Sequence, residues 1–216
     1  MTDNPLRDLE QCGQSVWLDS ISRDLIRSGT FTRLIEQDGI TGVTANPSIF
    51  EKAIVGSHDY DEDIRALGAR GCPPIQIYEH LAIQDVGTAA DMLRATYDGC
   101  GGRDGFASIE VSPDLAYDTN ASIEEARRFW QELNRPNVMV KIPATAEGIP
   151  AIEQLTADGI NVNVTLIFAV ERYDQVIDAY LTGLERRVQQ RQPIDHIASC
   201  VILCQPRRYA GRPASG

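Results

Sequence analysis

The chain has 216 residues, 43% hydrophobic and 24% charged, with a formal net charge of −11. That length supports one domain with a sizeable core, and the acidic balance argues against nucleic acid or an anionic membrane surface as a partner. No stretch reads as a secretory leader or as the roughly 18-residue apolar run of a membrane span. The expected location is therefore the cytoplasm.

Short apolar runs alternate with longer helical patterns along the chain. "SVWLDS" (15–20) predicts a strand, and Ser22 then caps a helix to about residue 37, stopped at Asp38-Gly39. "GVTAN" (42–46) predicts the next strand, and Asn46-Pro47-Ser48 opens another helix. Residues 57–71 read only as polar and charged. From 73 to 98 the apolar positions Ile77, Leu81, Ala82, Val86, Ala89, Met92 and Leu93 fall at helical spacing. After the glycine turn "GCGGRDG", "FASIEVS" (106–112) predicts a strand. Thr119 is then expected to cap a helix to about Leu133, with Glu124 and Glu125 in its early turns favoured by the helix dipole. "NVMVKIPA" is a strand, 147–158 a helix, "INVNVTLIF" (160–168) a strand, 170–188 a helix, and "HIAS" (196–199) starts a sixth strand.

Strands apolar enough to be covered on both faces, alternating with helices, imply a parallel sheet, either doubly wound or closed as a (β/α)8 TIM barrel. No G-x-G-x-x-G follows the first strand, which weakens a dinucleotide-binding fold. Seven polar residues lie in or at the ends of five strands: Asp19, Thr44, Asn46, Glu110, Lys141, Asn163 and Thr165. Barrel enzymes collect their chemistry from several strand ends in this way, so the barrel is favoured over the doubly wound sheet.

Cysteine supplies little chemistry. Cys12, Cys72, Cys100, Cys200 and Cys204 are an odd set without secretory features and read as reduced thiols. The C-x-x-x-C of Cys200 and Cys204 lacks the second Cys/His pair of a zinc site, and no metal is expected. "NVT" at 163–165 fits a glycosylation acceptor but lies in an expected core strand.

Lys141 is the unusual residue, a lysine inside an apolar strand. An amine in apolar surroundings loses proton affinity, and a neutral amine attacks carbonyls. If the strand ends converge, Lys141 forms an imine with a ketone, and Asp19 takes the hydroxyl proton as the C–C bond breaks. Glu110, with a water held by Thr165, shuttles protons during dehydration. Thr44, Asn46 and Asn163 suit a polyol chain. That is class I aldol chemistry with no metal and no dissociable cofactor. Simpler roles stay open at this point. Lys141 could snorkel to solvent, Asp19 could cap the following helix and Glu110 could form a structural ion pair with Lys141. Asn46 could build the turn before Pro47, and Thr44, Asn163 and Thr165 could be satisfied core polars.

The sequence resembles a transaldolase through "SVWLDSISRDL", "GITGVTANPSIF", "IEVSPDLAYDT", "NVMVKIPATAEGI" and "GINVNVTLIFAVERY", in family order over most of residues 5–190. The resemblance implies a Schiff-base lysine at Lys141, a general acid/base at Asp19 and a proton-relay carboxylate at Glu110. It also implies substrate contacts from Thr44, Asn46, Asn163 and Thr165. The implied reaction, in the non-oxidative pentose phosphate pathway, moves a dihydroxyacetone unit between sugar phosphates. The donors are fructose 6-phosphate or sedoheptulose 7-phosphate, and the acceptors erythrose 4-phosphate or glyceraldehyde 3-phosphate. The resemblance says nothing of oligomeric state. Two alternatives accompany it. One is a fructose 6-phosphate aldolase of the same family, against which stand the long segment 51–104 and Glu110 where that branch resembles a glutamine. The other is an inactive, truncated remnant.

Residues 1–199 are thus expected to be a partial barrel, and "CVILCQPRRYAGRPASG" (200–216) a non-native tail, with three arginines and no acidic residue. Reading its codons one base over permits V-S-S-F-V-S-R-V-D-T-P-V-D-R-L-L, which resembles the family's sixth strand and the phosphate-binding loop after it. A frameshift near residue 200 follows as the expectation. Arg207 and Arg208 are not assigned to phosphate. A barrel short of two strands exposes edges and apolar helix faces, so the chain as written is expected to be insoluble or partly folded.

Overall fold

The computed structural model describes residues 4–201. Six strands appear: β1 Trp17–Asp19, β2 Gly42–Thr44, β3 Phe106–Glu110, β4 Val138–Pro143, β5 Val162–Thr165 and β6 Ser199–Val201. They lie side by side in chain order, each parallel to the next. A doubly wound sheet would reverse its strand order at a switch point. Here the order never reverses, which is the sequence of an α/β barrel wall, and the six strands form an incomplete (β/α)8 barrel. The proposed boundary at 199/200 falls within β6, and residues 202–216, Cys204 included, lie outside the described residues.

Nine α-helices accompany the described strands: α1 Pro5–Gln11, α2 Arg23–Arg27, α3 Thr30–Arg33, α4 Pro47–Val55, α5 Asp61–Ala69, α6 Pro74–Gly99, α7 Thr119–Leu133, α8 Gly148–Asp158 and α9 Val170–Gln189. The helix expected from Ser22 to 37 is broken. Gly29 adopts φ 77°, a left-handed turn that glycine takes freely, between α2 and α3. A π-helical turn, Leu34–Asp38, then leads to the expected stop at Gly39. Sequence reasoning missed α1 and α5. The first is short and capped by Asn4, whose side chain accepts from Leu6 N at 2.9 Å. The second hides in a polar stretch but carries Asp61, Glu62 and Asp63 in its first turn, where the dipole favours them. The cap of α7 is Asp118, one residue before the expected Thr119. Its Oδ1 accepts from Ala121 N at 3.0 Å.

The helix-facing side of the sheet is built from every second strand residue, including Val43, Ile109, Val140, Ile142, Val162 and Val164. These pack with Leu93 from α6, Leu133 from α7, and Ile152 and Leu155 from α8 in one continuous core. By contrast α9 turns Tyr173, Ile177, Leu181 and Val188 to solvent. Among the described residues β1 and β6 each pair on one side only.

A buried ionic clamp fastens the β1–α2 corner to the excursion between β2 and β3. Arg23 is 3% exposed. Its Nε donates to Asp85 Oδ1 on α6 at 3.1 Å, and its Nη1 lies 2.6 Å from Asp63 Oδ2 on α5. The Tyr60 hydroxyl donates to Asp85 Oδ2 at 2.8 Å and accepts from Arg23 N at 3.0 Å. Removing Arg23 leaves the buried Asp85 carboxylate without its cation, at a cost of about 3–5 kcal/mol. Arg23→Met is therefore expected to lower the urea-unfolding free energy by about that amount, whereas Arg65→Ala, at an exposed pair, shifts it by under about 1 kcal/mol.

Candidate active site

The strand residues that do not face the helices line the concave side, and they do so in layers. The floor is apolar: Phe106 and Met139 pack with Trp17, Ala198 and Cys200, and Tyr97 from α6 closes it below. The Trp17 ring lies directly over Gly42, where any Cβ would fall 2.3 Å from the indole. Only glycine allows that approach. Cys200 is a floor residue whose thiol burial pushes up to about 11, which keeps it a protonated thiol.

Above the floor runs a polar row. Asp19, Thr44 and Ser108 are register partners across β1, β2 and β3. The Ser108 hydroxyl donates to Thr44 Oγ1 at 3.0 Å, and Asn163 Nδ2 on β5 donates to Ser108 Oγ at 2.8 Å. Thr44 is 2% exposed, Ser108 1% and Asn163 0%, and Asn163 Oδ1 is buried without a hydrogen-bond partner.

One step nearer the C-terminal strand ends stand Glu110 and Lys141, register partners on β3 and β4, with Asn163 next to Lys141 on β5. Lys141 Nζ lies 3.3 Å from Glu110 Oε2. The lysine is 7% exposed, so it does not snorkel to solvent. Thr165 ends β5 on the same face, and the backbone turns away at Leu166, with φ 60°. Asp19 is exposed on edge strand β1, and the helix after it is capped by Ser22, whose Oγ accepts from Leu25 N at 3.1 Å. The capping role for Asp19 is excluded. Asn46 instead caps α4, its Oδ1 accepting from Ile49 N at 3.0 Å, so it builds the turn at the end of β2.

Six of the seven residues singled out in the sequence therefore share the concave face, and Asn46 sits at the adjoining helix start. Ser108 was missed, although it stands two residues before Glu110 in "FASIEVS" and the strand period places both on one face. The 550 Å³ cavity at the opposite end, lined by Tyr97, Trp130, Asn161 and Arg187, lies by the strands' N-terminal ends, the end of a barrel associated with stability.

The family model described as transaldolase/fructose-6-phosphate aldolase matches residues 16–201. The chain belongs to this family. It is 50% identical over 199 residues to a protein named transaldolase 2 from a Nostoc species, covering 92% of this chain and 52% of that protein. The transaldolase of Acidothermus cellulolyticus is 48% identical, with 92% and 53% covered. The transaldolase of Thiobacillus denitrificans is 46% identical over 184 residues, with 85% and 51% covered. The chain spans about half the length of the curated relatives it matches. No helix among the described residues is long and apolar enough to cross a membrane.

Burial pushes the Glu110 carboxyl above the usual glutamate range. The Lys141 ammonium and its hydrogen bond pull it back, and the Asp19 charge adds to the rise. The folded protein thus holds this proton to a higher pH than the unfolded chain does. The stability this contributes is full below the ordinary glutamate pKa, about 4.3, and is lost as pH rises through the raised value. In urea titrations across pH, the unfolding free energy of the wild type is expected to fall over that window relative to Glu110→Gln, in which this slope is absent.

Proposed function

We propose that this chain carries the class I aldol chemistry of a transaldolase, transferring a dihydroxyacetone unit between sugar phosphates in the cytoplasm as part of the non-oxidative pentose phosphate pathway. The observation that carries the reading is a 7%-exposed lysine with a carboxylate 3.3 Å from its Nζ. Lys141 Nζ passes its ammonium proton to Glu110, 3.3 Å away, and the free amine adds to the ketone carbon of the donor sugar to give a carbinolamine. Glu110, through a water held at Thr165, delivers the proton with which hydroxide leaves as water, and the protonated imine forms. Asp19 then accepts the proton of the hydroxyl on the second carbon beyond the imine, and the C–C bond breaks. The first aldehyde departs and the enamine stays on Lys141. An aldose phosphate takes its place, the enamine carbon attacks the new aldehyde, whose oxygen takes the proton back from Asp19, and hydrolysis by the reverse route frees Lys141. Thr44, Asn46 and Asn163 hold the hydroxyls of the carbon chain. Each step is acid–base or covalent chemistry that side chains alone supply.

Residues 200–216 we also read as a shifted reading frame, which resequencing the gene from codon 190 tests. The reading is withdrawn if the gene, read one frame over, does not continue as a barrel.

The decisive experiment incubates the protein with fructose 6-phosphate and borohydride and measures intact mass. A reduced dihydroxyacetone adduct is expected, and Lys141→Ala should abolish it. Glu110→Gln should slow adduct formation by about 10²–10⁴-fold. An adduct that survives Lys141→Ala, or none on folded protein, overturns the mechanism, and the second result identifies an inactive remnant. With erythrose 4-phosphate present, retention of the three-carbon unit until the acceptor arrives marks a transaldolase. Release of free dihydroxyacetone marks a fructose 6-phosphate aldolase.

A further inference from the structure

The polar row beneath Lys141 has a fixed direction. Asn163 Nδ2 donates to Ser108 Oγ at 2.8 Å, and the Ser108 hydroxyl donates onward to Thr44 Oγ1 at 3.0 Å. A serine hydroxyl has one proton. In this arrangement Ser108 accepts from Asn163 Nδ2 and gives its own proton to Thr44, so the amide turns its nitrogen to Ser108 and its oxygen away. The consequence sits at the other end of that amide. Asn163 Oδ1 is buried, unpartnered and beside Lys141 in register. Thr44 accepts from Ser108 and so keeps its own proton to give. A buried acceptor left without a donor is unfavourable, and a site tolerates it where a bound ligand provides the missing donor.

We propose that Ser108 is a positioning residue that makes this site selective for hydroxylated ketones. By holding the Asn163 amide in one orientation, it presents Oδ1 as an acceptor for a substrate O–H close to the carbon that Lys141 engages. A ketone lacking that hydroxyl leaves Oδ1 buried and unpaired, and sites built to hydrogen-bond a hydroxyl reject analogues without it. This rests on the reading of Lys141 as the ketone-binding amine for the choice of probes. Ser108 itself touches no reacting atom.

The test separates the two readings by working first where no imine can form. The Lys141→Ala chain is labelled with [15N]asparagine, and the Asn163 amide pair is assigned by its loss in Asn163→Ala. Hydroxyacetone and acetone, which differ by one hydroxyl, are titrated against that pair. The amide proton given to Ser108 should exchange slowly, and hydroxyacetone should bind at least tenfold more tightly than acetone. Adding Ser108→Ala should abolish the protection and bring the two affinities together. Ser108→Thr should restore both, while Ser108→Val, equal to Thr in shape but without the hydroxyl, should not. That matched pair decides the matter if the alanine variant does not fold. Equal discrimination in the Thr and Val variants, or a wild-type Asn163 amide that neither ketone moves, overturns the proposal. If the titrations behave as expected and the wild type still traps no ketone with borohydride, the positioning role stands and only the imine reading falls.

Discussion

The concave face of this sheet excludes water from its deeper layers, so every polar group placed there must find its partner on a neighbouring strand. That constraint organises the site. Parallel pairing puts Thr44 beside Ser108 and Glu110 beside Lys141. The hydrogen bonds and the ion pair then follow the same lateral direction as the backbone ladder. A register slip of one residue would turn this whole set toward the helices and bring Val43, Ile109, Val140 and Val164 to the inside. Fold and site are therefore specified together. The exception, Asn163 Oδ1, marks where that accounting is left for something other than the protein.

The floor beneath the polar row determines its depth. Trp17 lies across Gly42 and stacks against Phe106 with ring centroids 6.4 Å apart, while Tyr97 meets Phe106 edge-on at 5.4 Å. The Trp17 indole N–H reaches Asp104 Oδ1 at 3.2 Å, so the one polar atom of that large ring is satisfied at its rim. With the base filled by aromatic rings, there is room for polar chemistry only from the second layer upward. The buried Arg23 clamp serves the same end from outside, fixing the corner that follows β1 against α5 and α6.

Much of this arrangement was legible in the residues themselves. Strand positions followed from apolar runs bounded by glycine and proline, because packing on both faces leaves little else that a parallel strand can be. The site was legible for the opposite reason: Lys141, Glu110 and Asn163 violate that apolar pattern, and the violations fall on one face. What escaped depends on contacts distant in sequence. Ser108 is too small and too common in strands to stand out alone, and it gains meaning only between Thr44 and Asn163. Gly42 looked like a strand's first residue until Trp17 lay over it. Asp61–Ala69 lacks an apolar stripe strong enough to announce a helix, and Leu67 is its one buried residue. Asn46 was legible as a polar residue at the end of β2, and its further duty as the cap of α4 goes with the proline after it.

The proposed chemistry divides unevenly across this sheet. Lys141, Glu110 and Thr165 stand on the inner strands β3, β4 and β5, each flanked on both sides by a neighbour, where a low local dielectric strengthens every charge interaction. Asp19 stands on β1, which among the described residues pairs only with β2, and its side chain is exposed. Water competes for a carboxylate open to solvent with the one hydroxyl that it must reach. Imine formation thus draws on groups that the described strands enclose, whereas C–C cleavage draws on one that they leave open. The two halves of the reaction have different structural requirements: the first needs β3 to β5 in register, and the second needs water kept away from β1 as well.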